Sequence, residues 1–244
     1  MTKIINNKKT TTPFYQNDEN IFEIGIDEAG RGPLFGRVYT GAVVLPKENF
    51  DYSRMKDSKK FTSEKKILET ETYIKENALF WSVSSNNEQR IDTINILQAT
   101  MESMHFCVDS ILKQMNKKNY NVHCKDNDES KCLLLVDGNY FNEYTYIDNE
   151  MLNVLPHVTV KGGDDLYSSI AAASILAKCA RDRYIKEICS DYPKLDEYYG
   201  IMSNKGYAAR RHINGINEYG ITPFHRKTYS TCNGVPVLNI NSLK

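Results

Sequence analysis

The sequence predicts an α/β protein with a mixed central β-sheet flanked by helices, and three observations carry that prediction. Short apolar runs at the strand period recur along the chain. Between them lie segments whose apolar residues return every three or four positions, the helical period. The first two strand-like runs are joined only by a glycine-rich loop, which suits an antiparallel pair. Later strands alternate with helices, so the sheet must be mixed.

The elements follow in order. Phe22, Ile24 and Ile26 alternate with other residues and stop at Asp27, and Val38–Leu45 is a second β-rich run ended by Pro46. Ser63 with Glu64 in the first turn opens a helix to about Asn77. Leu79–Val83, which holds the only tryptophan, is a third strand. Ile91, Ile94, Leu97, Met101, Met104, Val108, Ile111 and Met115 then give the strongest helical signal in the chain. Its methionines read as core filler.

A polar insertion, Asn119–Lys131, reads as an exposed loop before the buried strand Cys132–Val136, which stops at Asp137-Gly138. Val154–Val160 is another strand, running into Lys161-Gly162-Gly163-Asp164-Asp165. The alanine-rich stretch from Ile170 forms a helix to about Cys189, its small side chains allowing close packing on a sheet. A last helix is expected from near Gly206 to near Gly220. With no repeat and no linker composition, the organisation is a loose tail over 1–20, one α/β domain over 21–232 and a short tail over 233–244.

Bulk composition narrows the function classes. Of 244 residues, 41% are hydrophobic and 25% charged, ordinary for a globular protein with a substantial core. No window approaches the roughly 18 apolar residues of a membrane span, and polar Met1–Asn20 lacks a secretory signal. The six cysteines form no Cys-x-x-Cys pair and read as free thiols of a reducing, cytoplasmic compartment. His123, Cys124 and Cys132 fit no zinc spacing. The net charge of zero gives no global attraction to nucleic acid, but residues 56–66 carry an excess of three positive charges and residues 203–229 an excess of four. Such runs are commonly only solvated faces.

The chemistry concentrates in Ile24-Gly-Ile-Asp27-Glu28-Ala-Gly30-Arg31-Gly32-Pro33-Leu-Phe-Gly36. Adjacent carboxylates repel, so the pair suggests a bound cation or an acid kept protonated. The glycines beside it let backbone approach a ligand closely. Three predicted strand ends terminate in acids: Asp27-Glu28, Asp137, and Asp164 with Asp165. Singly, an aspartate after a strand is a common turn residue. Three converging at the carboxyl ends of one sheet are a candidate ligand site. Oxygen donors favour hard cations such as Mg²⁺ or Mn²⁺ over zinc, and paired cations suit phosphodiester hydrolysis.

These residues resemble the ribonuclease HII (type 2 ribonuclease H) family. The resemblance rests on Gly25-Ile-Asp-Glu-Ala-Gly-Arg-Gly-Pro33 with Gly36, Asp57-Ser-Lys-Lys60, Asn95-Ile-Leu97 with Ala99-Thr-Met101, and Val136-Asp-Gly138. It continues through Gly163-Asp164, Ser169–Ser174 with Ala177-Lys178 and Arg181-Asp182, Lys205-Gly-Tyr207, and His225-Arg226. Each block is short, but their ordered combination from about residue 22 to 230 is specific.

The resemblance implies a ribonuclease H-like fold. The implied activity is hydrolysis of RNA paired with DNA, including single ribonucleotides embedded in duplex DNA. It implies four metal-binding acids at Asp27, Glu28, Asp137 and Asp164. Asp165 competes for the fourth place and is otherwise a helix N-cap or supporting group. Gly30, Arg31 and Gly32 match the loop that senses the 2′-hydroxyl, the group that separates RNA from DNA. Tyr207 matches the tyrosine that stacks on the next, deoxy sugar. Lys59, Lys60, Lys178 and Arg226 are candidate phosphate contacts that position the duplex.

Asn204 departs from the histidine that many members carry before Lys-Gly-Tyr, and Arg31 favours HII over its HIII relatives. The expected protein acts as a monomer, and no clamp partner is legible in Asn239–Lys244. The competing readings are weaker. A dinucleotide-binding loop needs a helix after its glycines, where β-rich Val38–Leu45 follows instead. A binding protein without catalysis would keep mutually repelling acids for no purpose. A junction resolvase does not account for Gly-Arg-Gly and Lys-Gly-Tyr.

Overall fold

The computed structural model describes residues 11–16, 18–120, 131–148 and 150–244. Strands β1 (Phe22–Ala29), β2 (Val38–Val44), β3 (Phe80–Asn86), β4 (Cys132–Asp137) and β7 (His157–Val160) form a five-stranded sheet in the order β3-β2-β1-β4-β7. β4 runs parallel to both β1 and β7. The β1–β2 connection is too short for a parallel crossover, so that pair is antiparallel and the sheet is mixed. Strands β5 (Thr145–Asp148) and β6 (Met151–Val154) pair antiparallel as a separate hairpin. The helices are α1 (Glu64–Asn77), α2 (Glu88–Lys117), α3 (Ser168–Asp191), α4 (Lys194–Tyr199), α5 (Ile201–Asn204) and α6 (Arg210–Tyr219).

The chain divides into two units. The first comprises Met1–Asp27, Ala42–Trp81 and Ile111–Ile175. There, Leu133, Leu135 and Ile170 are buried with Val158, Val160 and Tyr167 packed against them. Gly25 is a glycine inside a strand because α3 comes close: a Cβ there would sit 2.2 Å from the Ser169 carbonyl carbon. The second unit comprises Glu28–Gly41, Ser82–Ser110 and Leu176–Lys244, with a core that includes Phe35, Ile185, Leu195, Tyr199, Ile201 and Ile216. No helix among the described residues is long and apolar enough to cross a membrane.

Several boundaries differ from the sequence reading, each for a local reason. β1 continues through Glu28 to Ala29, so Glu28 lies within the strand. The run read as one strand, Val154–Val160, is broken at Leu155-Pro156, since proline lacks the N–H that a ladder needs. The Pro156 carbonyl instead accepts the Leu134 amide at 2.9 Å. The last helix starts at Arg210, because Lys205 and Gly206 both take positive φ and turn the chain first.

Both expected tails need correction. Thr11–Gln16 is fastened: Thr12 bridges to Tyr167, and the Glu23 carboxylate accepts the amides of Tyr15 and Gln16 at 2.9 and 2.6 Å. The rest of the expected N-terminal tail falls mostly outside the described residues, as does most of the polar insertion with His123 and Cys124. At the other end, Leu238 donates to the Ile221 carbonyl at 2.7 Å and Leu243 is buried, so 233–244 packs as part of the second unit.

Helix α2 is two helical segments meeting at Asn95, whose φ of 66° and ψ of 166° lie in a region that favours glycine. The Asn95 side-chain oxygen accepts the Gln98 amide at 3.0 Å, capping the second segment. Asn95→Ala loses that cap while keeping the strained backbone. It is expected to lower the unfolding free energy by about 1–2 kcal/mol in urea titrations; an unchanged midpoint contradicts the capping role.

Candidate active site

In the first unit, β1 and β4 are in register with Ile26 opposite Val136. Asp27 and Asp137, each the next residue, therefore stand side by side just past the last paired residues of two parallel strands. β4 pairs onward with β7, Asp137 opposite Val160. A 3₁₀ turn, Gly163–Asp165, follows β7 and delivers Asp164. The Gly163 amide donates to Asp137 Oδ1 at 2.6 Å, joining the turn to the strand end.

Asp164 is buried. That burial, reinforced by the negative charges of Asp137 and Asp57, pushes its carboxyl up to about 6. Lys59 Nζ lies 3.8 Å from Asp164 Oδ2. Burial alone would lower the Lys59 ammonium, but Asp164, Asp57, Asp27 and Asp137 outweigh it and raise it. Lys59 thus sees all three of the predicted acids that lie in this unit.

Local sequence explains how Lys59 is held. Its 3₁₀ turn, Ser58–Lys60, is capped by Asp57, whose carboxylate accepts the Lys59 amide at 2.8 Å. Buried Ser58 shares a 3.0 Å hydrogen bond with Ser174 of α3. Lys60 points elsewhere and pairs with Asp165 at 2.5 Å, both groups being exposed. Asp165 therefore does not cap α3, which begins three residues later at Ser168.

Among the described residues, no three His, Cys, Asp or Glu side chains make a preformed metal cage. The acids hold local partners instead, Asp137 the Gly163 amide and Asp164 the Lys59 ammonium. Oxygen donors and one carboxyl pushed toward protonation fit a hard divalent cation.

In the second unit, Glu28 pairs with Arg31 at 3.1 Å, the Arg31 side chain remaining about half exposed. Gly30 has a φ of +94°, and a Cβ there would lie 2.2 Å from Arg181 Nε. Arg226, read from sequence as a phosphate contact, is fully buried. Its Nε donates to the Gly36 carbonyl at 2.9 Å, Nη1 to the Arg31 carbonyl at 2.8 Å, and Nη2 to the Gly30 carbonyl at 2.6 Å. Nη1 also reaches the Tyr229 hydroxyl at 2.9 Å. Arg226 holds the glycine loop from beneath and has no face for phosphate. Lys178 is engaged by Asp182 at 2.7 Å and stays partly exposed.

Tyr207 is 51% exposed, and Gly32 lies against its ring, where a Cβ would be 3.4 Å from Tyr207 Cε1. Asn204 shapes the turn before it, donating to the Tyr199 carbonyl at 2.6 Å and accepting the Gly206 amide at 2.8 Å. Sequence reasoning missed the residues below this surface. Arg181 donates to the Lys205 carbonyl at 2.7 Å, Glu88 accepts the Tyr184 hydroxyl at 2.8 Å, and His212 and His225 are fully buried. The quoted blocks contained Arg181 and His225, but nothing in their spacing marks them as buried supports.

Burial depresses both imidazoles, His225 further because His212 faces it. The unfolded chain then takes up protons below about pH 6.5 that the folded state refuses, so stability falls as pH drops through that range. Asp164 acts oppositely, since its folded carboxyl gains a proton near pH 6 while the unfolded one stays charged. The carboxyls of Glu23 and Glu88, also raised by burial, act in the same sense as Asp164, so the sign is read from a variant. Between pH 7.5 and 5.5 the metal-free melting temperature of Asp164→Asn should fall relative to that of wild type. A constant difference across that range contradicts the raised Asp164 carboxyl.

Strand ends that carry acids, on a mixed sheet of this order, define an α/β protein of the ribonuclease H-like class. The fold matches the ribonuclease H2 of Pyrococcus horikoshii at a TM-score of 0.58 and 24% identity, covering 87% of this chain and 95% of that one. It equally matches the RNase HII of Archaeoglobus fulgidus, solved in complex with PCNA, at a TM-score of 0.58 and 21% identity over 86% and 95% of the two chains. The chain belongs to the ribonuclease HII family, whose model matches residues 24–232. The ribonucleases HII of Bacteroides thetaiotaomicron and Phocaeicola vulgatus are each 40% identical to it, covering 92% and 91% of this chain and 96% of either relative.

Proposed function

We propose that this protein is a divalent-cation-dependent endoribonuclease. It hydrolyses the RNA strand of RNA/DNA hybrids and incises 5′ of ribonucleotides embedded in duplex DNA, leaving 3′-hydroxyl and 5′-phosphate ends. The observation that carries this reading is Asp27 beside Asp137 just past the paired residues of β1 and β4, with buried Asp164 feeling the charge of Asp137. Asp27, Asp137 and Asp164 are the proposed ligands in the first unit, and Glu28, the chain neighbour of Asp27, is the fourth. When bound, Mg²⁺ or Mn²⁺ would supply an activated water and stabilise the leaving oxygen.

The chain's own residues do the rest. Asp164, its carboxyl pushed up to about 6, is ionised near pH 7 and would be open to a cation, and Lys59 limits the repulsion among the carboxylates. The backbone of Gly30-Arg31-Gly32, shaped by Arg226, offers donors and acceptors to a 2′-hydroxyl. Arg31, half exposed with a planar fork, can take a phosphate. Tyr207 presents an exposed ring for stacking on the following sugar, and Lys59, Lys60 and Lys178 add sequence-independent charge.

The test is metal removal. Protein stripped with a chelator should leave the RNA of an RNA/DNA hybrid intact, and millimolar Mg²⁺ or Mn²⁺ should restore cleavage. Cleavage that persists after stripping would remove the carboxylates from the reaction.

A further inference from the structure

The surface around Tyr207 is supported by two histidines that the proposed reaction does not use. His212 Nδ1 lies 2.9 Å from the Tyr207 carbonyl, and His212 Nε2 lies 2.9 Å from His225 Nε2. The Thr222 amide donates to His225 Nδ1 at 3.0 Å. Phe35 and Tyr199 rings stand edge-on to His225 at 5.2 and 5.1 Å, and the Tyr199 hydroxyl is turned away to the Gly220 carbonyl.

The proton positions follow from the fixed groups at the two ends, an amide donor and a carbonyl acceptor. An amide N–H can only donate, so His225 Nδ1 is an acceptor and its hydrogen sits on Nε2. That hydrogen faces His212 Nε2, which must then accept. His212 therefore carries its hydrogen on Nδ1 and donates to the Tyr207 carbonyl. A second proton on either ring would set two donors against each other.

We propose that His212 and His225 are positioning residues for Tyr207. They form a one-directional relay of two neutral rings, each fixed in a single tautomer, that holds the Tyr207 backbone where its ring can meet substrate. This rests on the reading of Tyr207 as the stacking residue. The relay accounts for two fully buried polar rings, and it gives the Tyr207 carbonyl, which also accepts the Ala209 amide at 2.7 Å, a second donor while leaving the phenol ring exposed.

Two measurements test it. In ¹⁵N-histidine-labelled wild-type protein at pH 7.5, long-range ¹⁵N–¹H spectra should show His225 as the Nε2–H tautomer and His212 as the Nδ1–H tautomer. The opposite tautomers, or a doubly protonated ring, overturn the relay without any variant. The second uses a duplex with one ribonucleotide followed by deoxynucleotides. His212→Phe fills the space without a donor and should raise KM about tenfold with a smaller change in kcat. His212→Asn, whose amide can donate from the Nδ1 position, should recover most of that loss.

Adding His212→Phe to Tyr207→Ala should then change nothing further, because the two act through one contact. Additive losses overturn the relay while leaving the stacking role of Tyr207 in place. An unchanged KM in Tyr207→Ala itself removes the stacking reading and the functional half of the relay together, whatever the tautomers show.

Discussion

Asp164→Asn is expected to cripple cleavage while leaving the metal-free fold as stable as before or more so. The wild-type carboxyl is buried and pushed up to about 6, so near pH 7 the protein bears an ionised group in a setting that disfavours it. Asparagine keeps the shape, removes the repulsion with Asp137 and costs no fold-wide contact. It is a poor ligand for a hard cation, however, and turnover should fall by roughly 10²–10³-fold, the scale of losing one preorganised transition-state charge stabiliser. Wild-type protein should also melt at a higher temperature in Mg²⁺ or Mn²⁺ by mass-action linkage, and the variant should lose most of that rise. Asp165→Asn, altering an exposed carboxylate paired with Lys60, should stay within severalfold of wild type. An inactive Asp165→Asn beside an active Asp164→Asn would exchange their roles.

Arg226→Met is expected to be among the most destabilising single changes in the second unit. One guanidinium serves the carbonyls of Gly30, Arg31 and Gly36, and methionine leaves all three without that donor. Hydrogen bonds from a charged donor contribute roughly 1.5–3 kcal/mol each, so a loss of about 3 kcal/mol or more is expected even if water reaches part of the gap. Arg226→Lys should rescue little, because a single ammonium cannot span three carbonyls. Both variants should lose discrimination for the ribonucleotide at least tenfold in kcat/KM, since the loop proposed to meet the 2′-hydroxyl is no longer held. A phosphate contact would behave differently: wild-type melting, good rescue by lysine and a weakened salt dependence of binding. That pattern would contradict the buried role.

Much of the architecture was legible because its signals are local. The β1 alternation, the α1 start at Ser63-Glu64 and the apolar β4 run each announce themselves within a few residues. The acids were legible for the same reason, each standing where an apolar run stops. The β5–β6 hairpin was not, because Ile147, Met151, Leu152 and Val154 are all exposed and give no buried face for a pattern to reveal. Arg226 was misread because sequence does not separate a guanidinium that meets solvent from one enclosed by loop carbonyls. The same limit hid the histidine pair, whose partners lie 13 residues apart in the chain, one on α6 and the other beyond it. Lys59 and Lys60 are neighbours with the same side chain, yet the turn capped by Asp57 sends one to Asp164 and the other to Asp165.

The most direct measurement is incubation of the full chain with Mg²⁺ or Mn²⁺ and a duplex DNA carrying one ribonucleotide, beside an otherwise identical all-DNA duplex. The roles proposed for Asp27 to Gly32, cutting for the carboxylates and choosing for the glycine loop, predict a single incision 5′ of the ribonucleotide and an intact control. An uncut ribonucleotide duplex under both cations, or equal cutting of the all-DNA duplex, would contradict the account.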